Sequence, residues 1–191
     1  VDANNLPKTN ARKDVYDFVV TEFLEAAKDL PSVKDVNRTE YYPRLTKEAV
    51  YTALASVYLN AEVYSGTSHY DDVVTMCDNV INTGAYELED KVGDCFLSTN
   101  ENNGEVITAF SIYPTKGVGA NQYMLYAQHA LDKERYGLPF SPANGYCFTD
   151  DALKRYEAGD ERLELLQYGP QFYLDGTTPL VDVNKVQLDF V

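Results

Sequence analysis

The sequence predicts a mainly α-helical fold, in which helix pairs like those of tetratricopeptide repeats support an irregular, loop-rich face with a few short β-strands. Residues 11–88 place apolar side chains at three- and four-residue steps, as amphipathic helices do. Residues 89–191 lose that period and are interrupted by glycine and proline. We therefore expect 1–191 to be a single domain, or a fragment of a larger one, with a helical part at 11–88 and a loop-rich part at 89–191.

The first helix is predicted to begin near Ala11. Thr9 or Asn10 can cap its start, and Pro31 ends it because proline lacks the backbone donor and clashes with the preceding turn. Its apolar stripe consists of Val15, Phe18, Val19, Phe23, Ala26, Ala27 and Leu30.

A second and a third helix are predicted to form an antiparallel hairpin. Thr46 is a plausible N-cap for the second helix, and Gly66 stops it. Ser68 caps the third, with Asp71 three residues later in a capping-box arrangement, and Gly84 lies where a left-handed residue is expected. The predicted inner face of the third helix consists of Tyr70, Val73, Val74, Cys77 and Ile81. Small and aromatic residues at such packing positions are typical of tetratricopeptide repeats, and a lone repeat needs neighbours to cover its faces.

The loop-rich part contains several weaker predictions. Residues 105–112 favour a strand because β-branched and aromatic side chains follow in a short run. Thr149 is expected to cap a short helix over 150–158. The tail favours a hairpin with a turn at 175–176 and a second strand within 181–190.

Composition excludes several classes of partner. The formal net charge is −14, which argues against nucleic acid and against anionic lipid. No run of about 18 apolar residues is present, so no membrane-spanning segment is predicted. The chain begins with Val1 and shows no signal-peptide pattern, which suggests a processed chain or an internal fragment.

Aromatic and cysteine content bear on ligand type and on covalent links. There are 16 Tyr, 8 Phe and no Trp; tyrosine has an apolar face and a polar tip, which suits both sugars and packed helices. We expect the helix tyrosines Tyr51, Tyr58 and Tyr70 to pack in the core. We expect the three cysteines to be buried free thiols, because cysteine behaves as a small hydrophobe, and a disulfide remains an alternative.

The order of segments resembles the SusD/RagB family. The resemblance is specific from about residue 14 to 107 and looser afterwards. The residues that carry it are Arg44-Leu45-Thr46-Lys47-Glu48-Ala49-Val50, Ala53-Leu54-Ala55, Val57-Tyr58-Leu59-Asn60-Ala61-Glu62-Val63-Tyr64-Ser65-Gly66, Tyr70, Cys77-Asp78, Val80-Ile81-Asn82, Gly84, Tyr86-Glu87-Leu88, Phe96, Asn100–Glu105, Val106-Ile107, Asn144-Gly145, Asp160 and Arg162.

This resemblance implies a fold and a function. The resemblance implies a lipid-anchored protein on the extracellular face of the outer membrane, as members of this family are. They capture oligosaccharide or polysaccharide, without cleaving it, for delivery to a TonB-dependent outer-membrane transporter. The chain corresponds to the middle of a typical member, so the lipidated cysteine and flanking helices are not part of this sequence.

The candidate ligand-binding residues lie in the aromatic-rich stretch 113–146. Sugar rings stack their C–H faces on aromatic side chains, and their hydroxyls need directional polar partners. The candidates are Tyr123, Tyr126, Tyr136, Phe140, Asn121, Arg135 and Asn144. The alternative interpretation is that the aromatic residues pin a long loop to the helical scaffold.

Two other functions and a structural ion remain to be separated from glycan capture. Glycoside cleavage needs two carboxyl groups held about 5–10 Å apart; sequence alone does not show that any two carboxylates face each other, and we expect neither an enzyme nor catalytic residues. We expect no cofactor, although the acidic and asparagine-rich residues 94–105 could contribute oxygens to a structural calcium ion. The remaining alternative is a helical protein-interaction scaffold with no glycan binding.

Overall fold

The computed structural model describes residues 8–97, 99–100, 103–110 and 122–190. It is mainly helical with one small sheet, which confirms the predicted fold class. The chain divides into two compact units, one formed by Val1–Asp90 with Asp94–Ser111 and the other by Lys91–Gly93 with Ile112–Val191.

The helices of the first unit surround one apolar core. They are α1 (Arg12–Asp29), a 3-10 turn (Val33–Asp35), α2 (Arg38–Tyr41), α3 (Lys47–Leu59), α4 (Ala61–Ser65) and α5 (Tyr70–Ile81). A further 3-10 turn (Val92–Phe96) follows, and its first two residues belong to the second unit. Helix α3 packs against both α1 and α5. The buried core residues are Tyr16, Ala27, Val50, Leu54, Tyr58 and Ala61.

Helix α1 ends as predicted but begins differently. Its N-cap is Ala11, without a side-chain cap bond, so the expected cap by Thr9 or Asn10 is wrong. At the other end, Leu30 donates its backbone N–H to the Ala26 carbonyl at 3.1 Å, and the helix stops before proline. Tyr16 lies in the core, whereas Phe18 of the predicted stripe is exposed.

The second predicted helix is broken into two. Helix α3 ends at Leu59, and α4 begins at Ala61 after Asn60. Gly66 ends α4 with a left-handed backbone angle of φ 83°, as the sequence predicted. Glycine adopts that conformation without the steric penalty of a side chain.

Helix α5 presents a different face to the core than the sequence suggested. Val73 and Met76 pack against the core residues, and Val80 is buried. The predicted inner face is therefore wrong for its other four members, which are all exposed: Tyr70, Val74, Cys77 and Ile81. Both stripes are apolar, so periodicity alone could not fix the helix phase. The predicted capping box is also wrong, because the N-cap is His69 and it makes no side-chain cap bond.

A buried carboxylate ties the loop after α1 to the start of α3. Glu48 is buried and accepts hydrogen bonds from the Ser32 hydroxyl at 2.6 Å and from the Val33 backbone N–H at 2.9 Å. Burial raises the pKa of Glu48, but these hydrogen bonds lower it more, so the pKa lies below its usual value. The carboxylate is thus held in its charged form by the loop that it anchors.

Residues 103–110 are fixed to the helical unit by an arginine. Arg38 donates to the carbonyls of Asn103 at 2.8 Å and Val106 at 3.0 Å, and its guanidinium lies 5.0 Å from the centre of the Tyr86 ring. The predicted strand at 105–112 is wrong for its described part, because residues 105–110 pair with no other described segment. A strand persists only where another strand satisfies its backbone groups.

The second unit contains short elements. They are α6 (Gln122–Ala127), α7 (Asp132–Tyr136), α8 (Asp150–Leu153), a 3-10 turn (Glu161–Leu165), β1 (Gly169–Pro170) and β2 (Asp189–Phe190). Thr149 caps α8 as predicted, accepting from the Ala152 N–H at 3.3 Å. The helix is shorter than the expected 150–158, since α8 ends at Leu153.

The tail forms a meander with two turns. Around the predicted turn, Tyr173 donates its N–H to the Thr178 carbonyl, and Phe172 bridges Pro179. The returning arm therefore begins before residue 181, where the sequence suggested a second strand. A further turn at 182–185 brings the chain back, so that β2 pairs antiparallel with β1.

Two other predictions concern disulfide bonds and membrane-spanning segments. Cys77, Cys95 and Cys147 are free, and Cys77 and Cys147 are exposed rather than buried as expected. Among the described residues, none of the helices has the length and the apolar composition that a bilayer crossing requires.

Candidate functional site

The second unit gathers three tyrosine rings on its surface. Helix α6 places Tyr123 and Tyr126 three residues apart, on one face. The ring of Tyr146 lies 6.1 Å from that of Tyr123 and 5.4 Å from that of Tyr126, measured between ring centres. Tyr123 is 74% exposed, and Tyr146 is exposed as well. We call Tyr123, Tyr126 and Tyr146 the tyrosine surface.

The backbone of the following loop fixes the tyrosine surface in place. The N–H groups of Gly145 and Tyr146 both donate to the Tyr126 carbonyl, at 2.8 Å and 2.9 Å. Ala143 donates in the same way to the Leu125 carbonyl at 2.7 Å. Tyr146 is thereby held against α6, although the two are about 20 residues apart in sequence.

Gly145 is required by close packing. A Cβ atom at this position would lie 2.5 Å from Cδ1 of Tyr126, well inside the contact distance of about 3.5–4.0 Å between carbon atoms. The ring of Tyr126 therefore lies directly over the backbone of Gly145. Any larger residue at 145 would displace that ring.

Two asparagines, Asn121 and Asn144, were among the predicted ligand-binding residues. Asn144 has a positive φ of 48°, which asparagine tolerates better than most residues, and its side chain is exposed. It makes no side-chain hydrogen bond with the described residues, so its amide is available two positions before Tyr146. Asn121 lies outside the described residues.

Tyr136 and Phe140 lie apart from the tyrosine surface. Both are exposed, at 41% and 43%. Within the part of the chain that the structure describes, neither makes a ring contact with Tyr123, Tyr126 or Tyr146. The predicted set is therefore brought together only in part.

Arg135 is mostly buried and holds α7 to the tail rather than lying on the exposed surface. Its side chain is 17% exposed, and its guanidinium donates to Oε1 of Gln171 at 3.0 Å and lies 3.8 Å from a carboxylate oxygen of Asp132. Asp132 is itself buried and accepts from the His129 backbone N–H and from Gln167, both at 3.0 Å. These bonds join α7 to the start of the tail.

A second feature of this unit, which the sequence did not indicate, is a shallow open pocket of about 320 Å³. Its lining consists of Phe148, Ala152, Arg155, Tyr156 and Arg162. We call it the arginine pocket. The sequence signal that could have located it is the Arg155-Tyr156 pair directly after a short helix, together with Phe148 before that helix.

The two arginines of this pocket differ in their partners. Arg162 donates from Nε to both carboxylate oxygens of Asp160, at 2.8 Å and 3.1 Å, and stands 5.2 Å from the centre of the Tyr156 ring. The paired guanidinium holds the pKa of Asp160 below its usual value. The guanidinium of Arg155 makes no ion pair or hydrogen bond with any described residue, whereas its backbone N–H donates to the Ala152 carbonyl at 3.2 Å.

Of the candidate calcium ligands in 94–105, Glu101 and Asn102 lie outside the described residues. Asn103 and Glu105 are bonded to the backbone and to Cys95 Sγ. Over residues 8–97, 99–100, 103–110 and 122–190, no group of three or more His, Cys, Asp or Glu side chains is arranged to hold a metal ion.

Comparisons with known proteins add no assignment. No protein-family model matches the chain, and no curated protein matches it.

Proposed function

We propose that the chain captures oligosaccharide or polysaccharide at the cell surface without cleaving it, for delivery to a TonB-dependent outer-membrane transporter. The observation that carries this proposal is the tyrosine surface. The ring of Tyr146 contacts those of Tyr123 and Tyr126, the rings of Tyr123 and Tyr146 are exposed, and the exposed Asn144 lies two positions before Tyr146 in the sequence. Aromatic faces accept the C–H face of a sugar ring, and amides bond its hydroxyls.

The form of this surface supports binding more than catalysis. It is open and built from rings and backbone groups, and the contacts that define it contain no pair of facing carboxyl groups. Glycoside cleavage uses such a pair, one on each side of the scissile bond. Capture needs only a stacking platform with a few directional partners.

The location and the transporter partner rest on the resemblance to the SusD/RagB family. The helical hairpin of α3, α4 and α5 agrees with the mainly helical scaffold that the resemblance implies. The net charge of −14 supports a partner other than nucleic acid. Cell fractionation and protease accessibility of the full-length protein would test the surface location.

The test of capture is affinity electrophoresis and a glycan array with the chain as it exists. Replacing Tyr123 with alanine removes the most exposed ring and should weaken binding to the retained glycan about tenfold. The matched control is Tyr70→Ala, which removes an exposed tyrosine from the other unit and should leave affinity unchanged. No retardation on any glycan, or equal affinity of Tyr123→Ala and the wild type, would refute the proposal.

The same preparation separates capture from hydrolysis. A reducing-sugar assay on every bound glycan should show no product beyond the rate without protein. Release of reducing ends would assign the chain to the glycoside hydrolases instead.

The second candidate function is a helical protein-interaction scaffold. It is favoured by the exposed apolar stripe of α5, which consists of Tyr70, Val74, Cys77 and Ile81. Such a stripe is what a neighbouring amphipathic helix covers in helical repeats. Binding to a purified transporter that is lost on Val74→Asp, with no binding to any glycan, would favour this candidate over capture.

A further inference from the structure

The arginine pocket has the chemistry of a second sugar subsite. Phe148 and Tyr156 supply aromatic faces, and Arg155 supplies a guanidinium that no described residue engages. We infer that this pocket takes a sugar unit bearing a carboxylate, so that the ligand of the chain is an acidic oligosaccharide. This inference rests on the proposed function.

The charges around the pocket favour an anion. Its lining contains two guanidinium groups and no carboxylate. Asp160 neutralises Arg162 through the bonds to its Nε, so one positive charge, that of Arg155, remains without an ion-pair partner among the described residues. A guanidinium forms two parallel hydrogen bonds to a carboxylate, which makes it a better partner for a uronic acid than for a neutral sugar.

The acidic character of the whole chain does not prevent the arginine pocket from binding a carboxylate. The formal net charge of −14 is spread over 191 residues, and charges separated by more than about 8 Å are largely screened at physiological salt. A carboxylate within hydrogen-bond distance of Arg155 is attracted at short range. Long-range repulsion instead slows the approach of a polyanion, which is an effect on the association rate.

The pocket adjoins the tyrosine surface along the chain. Phe148 of the pocket follows Tyr146 by two residues, so their Cα atoms are at most about 7 Å apart. Both side chains are exposed. Neighbouring sugar units of one oligosaccharide can therefore contact the tyrosine surface and the arginine pocket at the same time.

The experiment compares acidic oligosaccharides with their neutral methyl esters by isothermal titration calorimetry, in about 0.15 M salt. The probes are uronic acid oligomers of galacturonate, glucuronate and mannuronate, each with its ester. The wild-type chain should bind at least one acid about tenfold more tightly than its ester. Arg155→Ala should abolish that preference and leave affinity for the ester within about twofold of the wild type.

The matched control is Lys154→Ala. It removes the same charge from the adjacent position, where the ammonium pairs with Asp151 at 3.6 Å and does not line the pocket. The preference for the acid should survive in this variant. Arg155→Lys, which keeps the charge and loses the paired donors, should give an intermediate preference, and melting curves of all variants should match the wild type because the side chain of Arg155 is exposed.

The outcomes are distinguishable. Equal binding of acid and ester by the wild type, or a preference that survives Arg155→Ala, overturns the acidic subsite and leaves glycan capture standing. Binding of neither form, nor of any neutral glycan on the array, overturns the proposed function itself.

Discussion

Replacing Gly145 with alanine should disturb the tyrosine surface by a purely steric route. A Cβ at this position would lie 2.5 Å from Cδ1 of Tyr126, and 3.2 Å from its Cγ. Gly145 is not among the residues with a positive φ, so alanine meets no backbone penalty there. The whole effect of the substitution therefore comes from contact with one ring.

The size of the effect follows from that distance. Carbon atoms in contact lie about 3.5–4.0 Å apart, so the ring must move by about 1 Å. The backbone cannot easily yield, because the N–H groups of Gly145 and Tyr146 both bond the Tyr126 carbonyl. Overpacking of this kind costs about 1–3 kcal/mol, and each kcal/mol lowers Tm by about 2–4 °C for a chain of this size.

The assay is urea and thermal unfolding followed by near-ultraviolet circular dichroism, which reports tyrosine packing because the chain has no tryptophan. In a Tyr126→Ala background the same glycine substitution should cost less than about 0.5 kcal/mol, because the ring atoms are gone and only Cβ of residue 126 remains, at 3.3 Å. Gly93→Ala is the control, since its Cβ would meet only Leu165 at 3.6 Å. Wild-type stability in Gly145→Ala, or an equal loss in both backgrounds, would show the reasoning to be wrong.

Three further predictions concern the scaffold. Glu48→Gln should lower the free energy of unfolding by about 2–3 kcal/mol at pH 7, because the substitution replaces a charged acceptor of two hydrogen bonds with a neutral one. The native pKa of Glu48 lies below the usual 4.5. In urea titrations the stability difference from the wild type should therefore shrink as pH falls through 4.5 and vanish below the native pKa. Asp175 accepts hydrogen bonds from Thr178 and from backbone N–H groups, which lower its pKa to about 2. The stability that this carboxylate adds to the tail turn is therefore complete above pH 3.8 and is lost as pH falls through about 2. A carboxyl titration by NMR that gives a pKa of 3.8 or more would contradict this prediction. Leu54→Ala should cost about 2–5 kcal/mol by chemical denaturation, whereas Ile81→Ala should change stability by less than about 0.5 kcal/mol; a large loss on the second substitution would mean that α5 faces the core as the sequence suggested.

The sequence predicted the helices better than their faces. Pro31 and Gly66 end helices for reasons that need only local backbone chemistry, and both were predicted. The phase of α5 was not, because apolar side chains occupy two of its faces and only packing against the core selects the face of Val73 and Met76. The break at Asn60 likewise carries no strong local signal.

The candidate site was chosen by composition and not by geometry. The density of aromatic residues directed the choice to 113–146, and two of the candidates, Tyr123 and Tyr126, lie in the tyrosine surface. Tyr146 was not selected, because its contact with α6 depends on the return path of the loop and on the absence of a side chain at Gly145. Arg135 was selected for its charge, which the fold directs inward to Gln171.

The open form of the tyrosine surface determines how it could bind. A shallow site buries little of a ligand, so affinity depends on how little freedom its own side chains lose; each rotamer-rich side chain immobilised on binding costs about 0.5–1.5 kcal/mol. A tyrosine has only two side-chain torsions, and contacts already restrict those of Tyr126, which lies between the ring of Tyr146 and the backbone of Gly145. Most of that loss of freedom therefore occurs on folding rather than on binding. A platform of tyrosines can then bind a sugar ring without tryptophan, because the rigidity of the tyrosine rings partly compensates for their smaller area.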